Sequence, residues 1–470
     1  MNVHELATSC LWARNDPPRF LRHLCVLCVS GLVAGCAVGP NYSKPGTEVP
    51  AQYKEAGDWV VAKPADALPK GKWWAAFNDP ALDTLMSQVE VTNQTLKAAE
   101  ARYRIARAQV ASARSGLFPT IGGSADASRS RAPGQRYQVA LDARWEIDVW
   151  GRIRRLVEAA RAGEEASAAD LEAARLSLQA ELATNYFQLR VTDTQRELLD
   201  DTVAAFQKSY GMTQNRYRAG VAARVEVVQA EAQLLSTQAQ AIDLKATRAQ
   251  LEHAIAVLIG KPPAAFELAP ARFQVRIPEV PPGIPSTLLE RRPDIAAAER
   301  RMAQANAQVG ASQAAYFPAL SLTGSAGFAS NALSTLFSAP SRFWSFGLGL
   351  AGTLLDFGAR GAAVDLSRAQ YDQTVAGYRE AVLEGFREVE DNLAAIRYLA
   401  EENRVQQEAA RAARESVVLT VNQYKAGTVS FLNVVQVQAT QLNEERQTVA
   451  LLGRRLAAEV ALIRALGGTW

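Results

Sequence analysis

The residues best suited to chemistry in this chain are its cysteines and histidines, and their positions argue against a catalytic or metal site. All four cysteines lie within the first 36 residues: Cys10, Cys25, Cys28 and Cys36. Two of them have the CxxC spacing of metal and redox sites, but they lie in an apolar leader, where we expect neither role. The three histidines, His4, His23 and His253, do not supply the ligands of a metal cluster.

The rest of the sequence favours a structural or transport role over catalysis. It contains no nucleophile–base pair, no set of metal ligands and no glycine-rich phosphate loop, so we predict no enzymatic activity and no cofactor. The 470 residues are 48% apolar and carry a net charge of +3. Because no basic block stands out, nucleic acid is not an expected partner.

The N-terminal leader is typical of an exported protein. Arg19 and Arg22 precede an apolar run, Leu24 to Leu32, that is too short to span a membrane. The next residues, Val33-Ala34-Gly35-Cys36, resemble the lipobox of bacterial lipoproteins. This resemblance implies cleavage before Cys36, acylation of Cys36 and, because Ala37 follows, delivery to the outer membrane. Cleavage without acylation is the alternative, and a start later than Met1 stays open.

Two heptad ladders follow two similar tetrapeptides, Tyr217-Arg218-Ala219-Gly220 and Tyr424-Lys425-Ala426-Gly427. Residues spaced alternately three and four apart predict a coiled-coil seam. The first ladder is Val225, Val228, Ala232, Leu235, Ala239, Ile242, Ala246, Ala249, His253 and Ala256. The second is Leu432, Val435, Ala439, Leu442, Arg446, Val449, Gly453, Leu456, Val460 and Ile463. We expect Arg446 to be solvated or ion-paired and His253 to be partly buried.

Each tetrapeptide ends in a glycine that follows a long helical run. We therefore predict that Gly220 and Gly427 adopt the left-handed conformation just after a helix and close a helical hairpin. The runs before them, about 152–218 and 361–425, would each be roughly 100 Å long at 1.5 Å per residue. Shorter helices are predicted at about 79–115, 224–259, 286–315 and 430–466.

Two pairs of alternating segments interrupt the helices, at 119–149 and 319–354, and predict four strands of membrane-crossing length. No segment is long and apolar enough for a transmembrane helix, so an outer membrane protein of this sequence is expected to span as a β-barrel. Four strands cannot close a barrel, so closure must come from several chains. Trp145 and Trp150, near the end of the second strand, suit either a membrane interface or a packed core.

The chain repeats itself, which predicts its domain organisation. Ala98-Ala99-Glu100 and Leu117-Phe118-Pro119 recur as Ala297-Ala298-Glu299 and Tyr316-Phe317-Pro318. The predicted parts are a signal peptide (1–35), an extended strap (36–78), a first repeat (79–260), a proline-rich linker (261–285) and a second repeat (286–467).

Several motifs together resemble the TolC-like outer membrane factors, and most closely the NodT-like lipoprotein efflux branch. They are Lys72-Trp73-Trp74, Phe77-Asn78-Asp79-Pro80, Trp145 to Gly151, Glu290 to Ile295 and the two tetrapeptides. The resemblance covers residues 36–467. It implies a mainly α fold with a membrane β-barrel part: a homotrimeric α-helical barrel with a shared 12-stranded β-barrel, anchored in outer membrane lipid and extending into the periplasm.

The resemblance also implies partners and site residues. The expected partners are a periplasmic adaptor and an inner-membrane pump of the RND type. The adaptor-docking tips are Tyr217, Ala219, Gly220, Tyr424, Ala426 and Gly427, and simple capping of the turns is the alternative role of the tyrosines. Glu226, Gln229, Asn433 and Gln436 would line the periplasmic aperture. Many family members have aspartates on the second hairpin, where this sequence has Asn433 and Gln436. Our hypothesis for this chain is therefore a hydrogen-bonded or steric constriction in place of an acidic, cation-binding ring.

The predicted function is a passive exit duct for small molecules such as drugs, toxic compounds or metals. Two alternatives remain at this point: the outer membrane conduit of a type I protein secretion system, and a lipid-anchored periplasmic coiled-coil scaffold. Selectivity is expected to reside mostly in the pump, so the sequence does not name the exported compound.

Overall fold

The structure is a computed structural model that describes residues 37–46, 49–56, 71–131, 134–271, 278 and 291–468. The predicted signal peptide and the predicted acylation site Cys36 lie outside the described residues, as do much of the predicted linker and residues 57–70 of the strap.

The described residues form long helices interrupted by two pairs of strands. The helices are α1 (Pro80–Thr92), α2 (Gln94–Ser115), α3 (Arg152–Arg218), α4 (Arg224–Leu258), α5 (Pro293–Ala314), α6 (Ala359–Lys425) and α7 (Phe431–Ala465). The strands are β1 (Thr120–Arg129), β2 (Gln135–Ile147), β3 (Ala319–Ser330) and β4 (Arg342–Ala351). Short 3-10 turns lie at Lys54–Ala56, Trp73–Phe77, Pro263–Ala265, Leu333–Thr335 and Ala339–Ser341.

The helix lengths confirm the repeat predicted from the sequence. Helices α3 and α6 have 67 residues each, and α4 and α7 have 35 each. In both halves two strands, a long helix and a shorter helix follow in this order; α1 and α2 precede them in the first half, and α5 precedes them in the second. Among the described residues, no helix combines the length and apolar character needed to cross a lipid bilayer.

One compact unit contains the sheet together with residues 105–164 and 300–375. The four strands are antiparallel in the order β1-β2-β3-β4, with Thr120 opposite Arg144 and Leu320 opposite Leu350. Side chains alternate between the two faces of a strand. One face is therefore apolar, with Trp344, Phe346, Leu348 and Leu350 of β4 all exposed on it.

A buried arginine ties the N-terminal strap to this unit. The Arg155 guanidinium donates to the carbonyl oxygens of Val38 and Gly39 at 3.2 and 3.1 Å and to Asn41 Oδ1 at 3.0 Å. The Val38 amide donates to the Trp150 carbonyl oxygen at 3.0 Å. Because a buried guanidinium is costly without partners, these bonds fix the strap where β2 passes into α3.

Trp145 and Trp150 also bond to the backbone within this unit. The Trp145 indole N–H donates to the Leu117 carbonyl oxygen at 3.0 Å, and that of Trp150 donates to Pro318 at 2.8 Å. The Trp150 ring stacks on Phe317 with centroids 4.7 Å apart. Of the two predicted settings, these contacts favour a packed core within the chain.

The second unit, which includes residues 165–271 and 376–468, has an aromatic core beside the start of α1. Asp79 caps this helix, accepting from the amides of Ala81 and Leu82 at 2.9 and 3.2 Å. Its other oxygen accepts from the Tyr186 hydroxyl at 2.7 Å. Burial, aided by this bond, raises the pKa of Tyr186 to about 12. The helix start predicted at residues 78–80 is thus confirmed.

The single helix predicted over 79–115 is wrong in one respect, because Asn93 divides it. Asn93 has an extended backbone (φ −62°, ψ 125°). Its side-chain oxygen accepts from the Leu96 amide at 2.9 Å and so caps α2, while its side-chain amide donates to the Leu258 carbonyl oxygen at 2.7 Å. A capping asparagine in this position is the sequence signal that marks the break.

The heptad ladder predicted on α4 is not the seam within the chain. Along most of α4 the residues buried in the chain are Ala230, Leu234, Thr237, Ala241 and Leu244, which we call the buried ladder. Only near the C-terminal end of α4 is a member of the predicted ladder, Ala256, buried. The predicted residues Val225, Val228, Leu235 and Ile242 are 51–64% exposed, and we call them the exposed ladder. Since the two ladders are offset by two residues, or about 200° around the helix, they lie on opposite sides of α4.

Two further expectations about the ladders need correction. His253, expected to be partly buried, is exposed. On α7 the predicted ladder is buried towards the C-terminal end, at Leu456, Val460 and Ile463, but its first member Leu432 is 45% exposed. Phe431 is buried in its place because it packs on Tyr424.

We expect Asn93→Ala to lower the free energy of unfolding by about 1–3 kcal/mol, because it removes a helix cap and leaves a buried carbonyl group without its donor. Thermal unfolding followed by circular dichroism at 222 nm measures the change. Asn443→Ala, at an exposed position of α7, is the matched control. Equal melting temperatures for the two variants would contradict this account of the break.

Candidate functional site

The two hairpin tips have the same backbone geometry. At the end of α3 the amide of Gly220 donates to the Tyr217 carbonyl oxygen at 2.9 Å, and the next amide donates to Arg216 at 2.9 Å. At the end of α6 the amides of Gly427 and Thr428 donate to Tyr424 and Gln423, both at 3.0 Å. Gly220 and Gly427 have φ values of +72° and +77°. Both ends are Schellman motifs, so the predicted left-handed glycines are confirmed.

Tyr424 and Glu226 come together at the tips and connect the two hairpins. The Tyr424 hydroxyl donates to Glu226 Oε2 at 2.9 Å, and its side chain is only 6% exposed. The Arg216 guanidinium lies over its ring at 4.6 Å, and the Phe431 ring centroid lies 5.4 Å away. Four segments therefore converge on one phenol: the ends of α3 and α6 and the starts of α4 and α7. We call Tyr424, Glu226, Arg216 and Phe431 the tip cluster.

The electrostatics of the tip cluster favour a neutral phenol. Burial raises the pKa of Tyr424 above its ordinary value, and the hydrogen bond to the Glu226 carboxylate raises it further, while Arg216 lowers it. A charge-assisted hydrogen bond of this kind is stronger than one between neutral groups. The cluster can therefore hold the two hairpin tips together.

The other predicted tip and aperture residues are more open. Tyr217, Ala219 and Gly220 are exposed on the first tip, and Ala426 and Gly427 are exposed on the second. Asn433 and Gln436 are exposed on α7, and Gln229 is partly buried on α4. The Ser430 hydroxyl donates to Asn433 Oδ1 at 2.9 Å. Of the four predicted aperture residues, the structure joins Glu226 to a tip tyrosine.

Sequence reasoning missed two members of the tip cluster, Arg216 and Phe431. Arg216 precedes the repeated tetrapeptide by one residue, and Phe431 is the first residue of α7. A comparison of the residues flanking both tips could have drawn attention to them. Arg446, expected to be solvated or ion-paired, instead donates to Gln240 Oε1 on α4 at 2.7 Å.

No group of three or more His, Cys, Asp or Glu side chains within the described ranges is arranged to hold a metal ion. The tip cluster contains one carboxylate, beside a guanidinium and a phenol, and this set suits hydrogen bonding between helices.

The outer membrane efflux protein family matches residues 85–261 and 284–468 of this chain, which include both hairpins and all four strands. The chain belongs to this family. It is 30% identical to the probable efflux pump outer membrane protein TtgC of Pseudomonas putida, covering 93% of this chain and 94% of that protein. It is 28% identical to the cation efflux system protein CusC of Escherichia coli, covering 94% and 98%.

A solved structure shares this fold. The outer-membrane channel OprN superposes with a TM-score of 0.86 at 32% identity, covering 93% of this chain and all of that one. These findings confirm the predicted family, fold class and function: the chain is a TolC-like outer membrane efflux channel protein.

We expect the Tyr424 phenol to titrate above the ordinary tyrosine pKa of about 10. Because its pKa is raised in the folded state, its contribution to stability is complete below about pH 10 and is lost as the pH rises through the folded value. The difference in absorbance at 295 nm between wild type and Tyr424→Phe isolates this group from Tyr186. Glu226→Gln removes the carboxylate and should lower the pKa without returning it to the ordinary value, because burial remains. A difference titration curve with its midpoint at or below pH 10 would rule out the buried hydrogen bond between Tyr424 and Glu226.

Proposed function

We propose that this chain forms one third of a passive, gated exit duct for small molecules in a three-part efflux system, with no enzymatic activity. The observation that carries the proposal is the tip cluster, in which one hydrogen bond joins the two hairpins that would close the periplasmic mouth. Family membership supports the channel over a scaffold. The alternative of protein secretion has no comparable support.

The sheet supports assembly from several copies. Strands β1 and β4 are its edges, so half of the backbone groups of each point away from the sheet. In lipid every backbone N–H and C=O needs a partner. Three copies would supply twelve strands and pair β1 of one copy with β4 of the next, which leaves no edge.

The exposed ladder supports the same conclusion. Val225, Val228, Leu235 and Ile242 form an apolar stripe along α4 on the side opposite the seam within the chain. With the exposed Ala232 and Ala239 between them, these residues are spaced alternately three and four apart, as in a coiled-coil surface. Such a stripe would be costly facing a water-filled lumen. We assign it to contact with a second copy of the chain.

Leu235→Glu should weaken trimer formation, because it places a charge in this apolar stripe. The expected result is a shift from trimer to monomer when the purified protein is analysed by light scattering in detergent. Lys245→Glu places a glutamate at an exposed position of α4 outside the ladder, with an even larger change in charge, and should leave the trimer intact. A trimeric Leu235→Glu variant would show that the exposed ladder does not form the contact between copies.

Gating follows from the tip cluster. Tyr424→Phe removes the hydroxyl that bonds to Glu226, and a bond to a charged group contributes about 1.5–3 kcal/mol. Its loss should shift the closed–open equilibrium towards the open duct by about tenfold or more. Single-channel recording in planar bilayers measures the change as a higher open probability, and Tyr217→Phe, at the exposed tip tyrosine, is the control. Unchanged gating in Tyr424→Phe would refute the proposed latch.

The same recordings address the aperture. Gln229, Asn433 and Gln436 are neutral, so beyond Glu226 the proposed constriction lacks a ring of carboxylates. Millimolar divalent cations should therefore block the current only weakly. Strong block at low concentration would show that the mouth binds cations.

We propose that Cys36 is acylated and anchors the chain in the outer membrane. The residue after it, Ala37, lies against Gly151, and Val38 is bonded to Trp150 at the helix-linked end of β2. A lipid on Cys36 would therefore emerge beside the end of the sheet that joins the helices. This position suits insertion into the periplasmic leaflet.

Cys36→Ser should abolish incorporation of radiolabelled palmitate in cells, because the acceptor sulfur is lost. The sheet is unchanged by this substitution, so the variant should still form channels after purification. Label retained by Cys36→Ser would exclude acylation at this cysteine.

Partners and cargo follow from the same proposal. The exposed tips at residues 217–221 and 424–428 would receive a periplasmic adaptor, which connects the duct to an inner-membrane pump of the RND type. Relatives with this fold are named for toluene, for cations and for pyoverdine, so a shared duct serves different cargoes. We infer that the pump selects the cargo and that the duct carries it.

A further inference from the structure

The apolar face of the sheet contains a groove that extends from the middle of β1 and β2 to the end of β4 far from the helices. The cavity is about 790 Å³, within the range of small-molecule sites. Small residues Gly123, Ala125 and Ala326 form its floor, which gives it depth. Phe337, from the loop between β3 and β4, packs on Phe328 with ring centroids 5.4 Å apart at its edge.

Arg342 also lines this groove, at the first position of β4. It continues the row of Leu350, Leu348, Phe346 and Trp344, because every second residue of a strand shares one face. A charged side chain therefore ends an apolar row, directly after an 80% exposed tryptophan. Along this row, apolar side chains are followed by an indole and then by a cation. A membrane changes in the same order, from acyl chains through the interface to charged headgroups.

The far end of the sheet is uniformly basic. Residues 127–137 and 328–343 contain four arginines, Arg129, Arg131, Arg136 and Arg342, and no aspartate or glutamate. Arg129 lies on the same face as Arg342 by alternation, but on the opposite edge strand and four residues beyond Ala125, so Arg342 is the arginine that lines the groove. Arg136 lies on the other face, where it donates to Gln138 Oε1 at 3.0 Å. Arginine is well suited to phosphate because its planar guanidinium donates two parallel hydrogen bonds.

We propose that this groove binds a phosphate-bearing lipid of the outer leaflet, with an acyl chain along the floor and a headgroup phosphate on Arg342. The inference rests on the proposed function in one respect: helices in the periplasm place the far end of the sheet at the cell surface. The groove selects an occupant that combines a long apolar acyl chain with an anionic headgroup. A zwitterionic lipid fills the groove, but its ammonium group offsets the charge of its phosphate, so it compensates the charge of Arg342 less well.

The test is a lipid titration of the full mature trimer in detergent, with bound lipid counted by native mass spectrometry. The probes are a bisphosphorylated, multiply acylated glucosamine disaccharide, phosphatidylethanolamine, and inorganic phosphate as a competitor. The disaccharide lipid should bind at least about tenfold more tightly than phosphatidylethanolamine, and millimolar phosphate should not displace it. Equal binding of the two lipids, or displacement by phosphate alone, would overturn the proposal.

Two variants locate the site. Arg342→Gln should weaken binding of the disaccharide lipid by about tenfold, the effect of losing one charge-assisted contact. Arg144→Gln is the matched control, because Arg144 lies on the other face near the helix-linked end of β2 and should change binding less than twofold. Ala125→Leu fills the floor of the groove and should weaken binding while leaving all four arginines in place. Wild-type affinity in both Arg342→Gln and Ala125→Leu would exclude this groove.

Conductance separates this inference from the proposed duct. Arg342→Gln trimers should conduct as wild type does, since the altered side chain lies on the lipid-facing side of the sheet. Conducting trimers with unchanged lipid binding would refute the groove alone. Lipid binding by trimers that never conduct would refute the duct and leave the groove.

Discussion

The backbone of a sheet placed in lipid must have a partner for every hydrogen-bonding group, and the rest of this molecule can be understood from that requirement. One chain provides four antiparallel strands in simple meander order, with β1 and β4 at the edges. A sheet of four strands cannot close on itself. In the proposed trimer, β1 of one copy would pair with β4 of the next copy and so satisfy the backbone groups of both edges. A duplicated sequence suits this arrangement, because each half contributes one hairpin of strands and one hairpin of helices.

The helical part has a related requirement in water, where apolar side chains rather than backbone groups need partners. Helix α4 has apolar residues on two opposite sides, and one chain buries only one of them. A helix with apolar stripes on two opposite sides needs a neighbouring helix on each side to bury both stripes. The polar contacts between hairpins, such as Arg446 to Gln240 and Tyr424 to Glu226, then set which helices are neighbours and how closely they approach at the tips. In the proposed gating, these polar contacts would break at the tips while the apolar seams between the helices persist.

Much of this architecture could be predicted from the sequence, for identifiable reasons. The 67-residue helices end at glycines in Schellman motifs, and the strands alternate in polarity, so their bounds were close to those observed. The break at Asn93 was missed because the residue that receives its amide proton, Leu258, lies 165 residues away. The ladder on α4 was assigned to the wrong neighbour because periodicity identifies an apolar stripe without naming what covers it. Arg216 and Phe431 belong to the candidate site because four helix ends converge on Tyr424, and the sequence alone does not show this convergence.

The bonds of Arg155 to the strap have a consequence for how the protein enters its membrane. They hold Val38 and Gly39, so the proposed acyl group on Cys36 would be separated from the folded residues by about two residues, a reach of roughly 7 Å. With a tether this short, the acyl chains and the strands would have to enter the membrane at the same depth. The proposed lipid would then set how deep in the membrane the sheet lies.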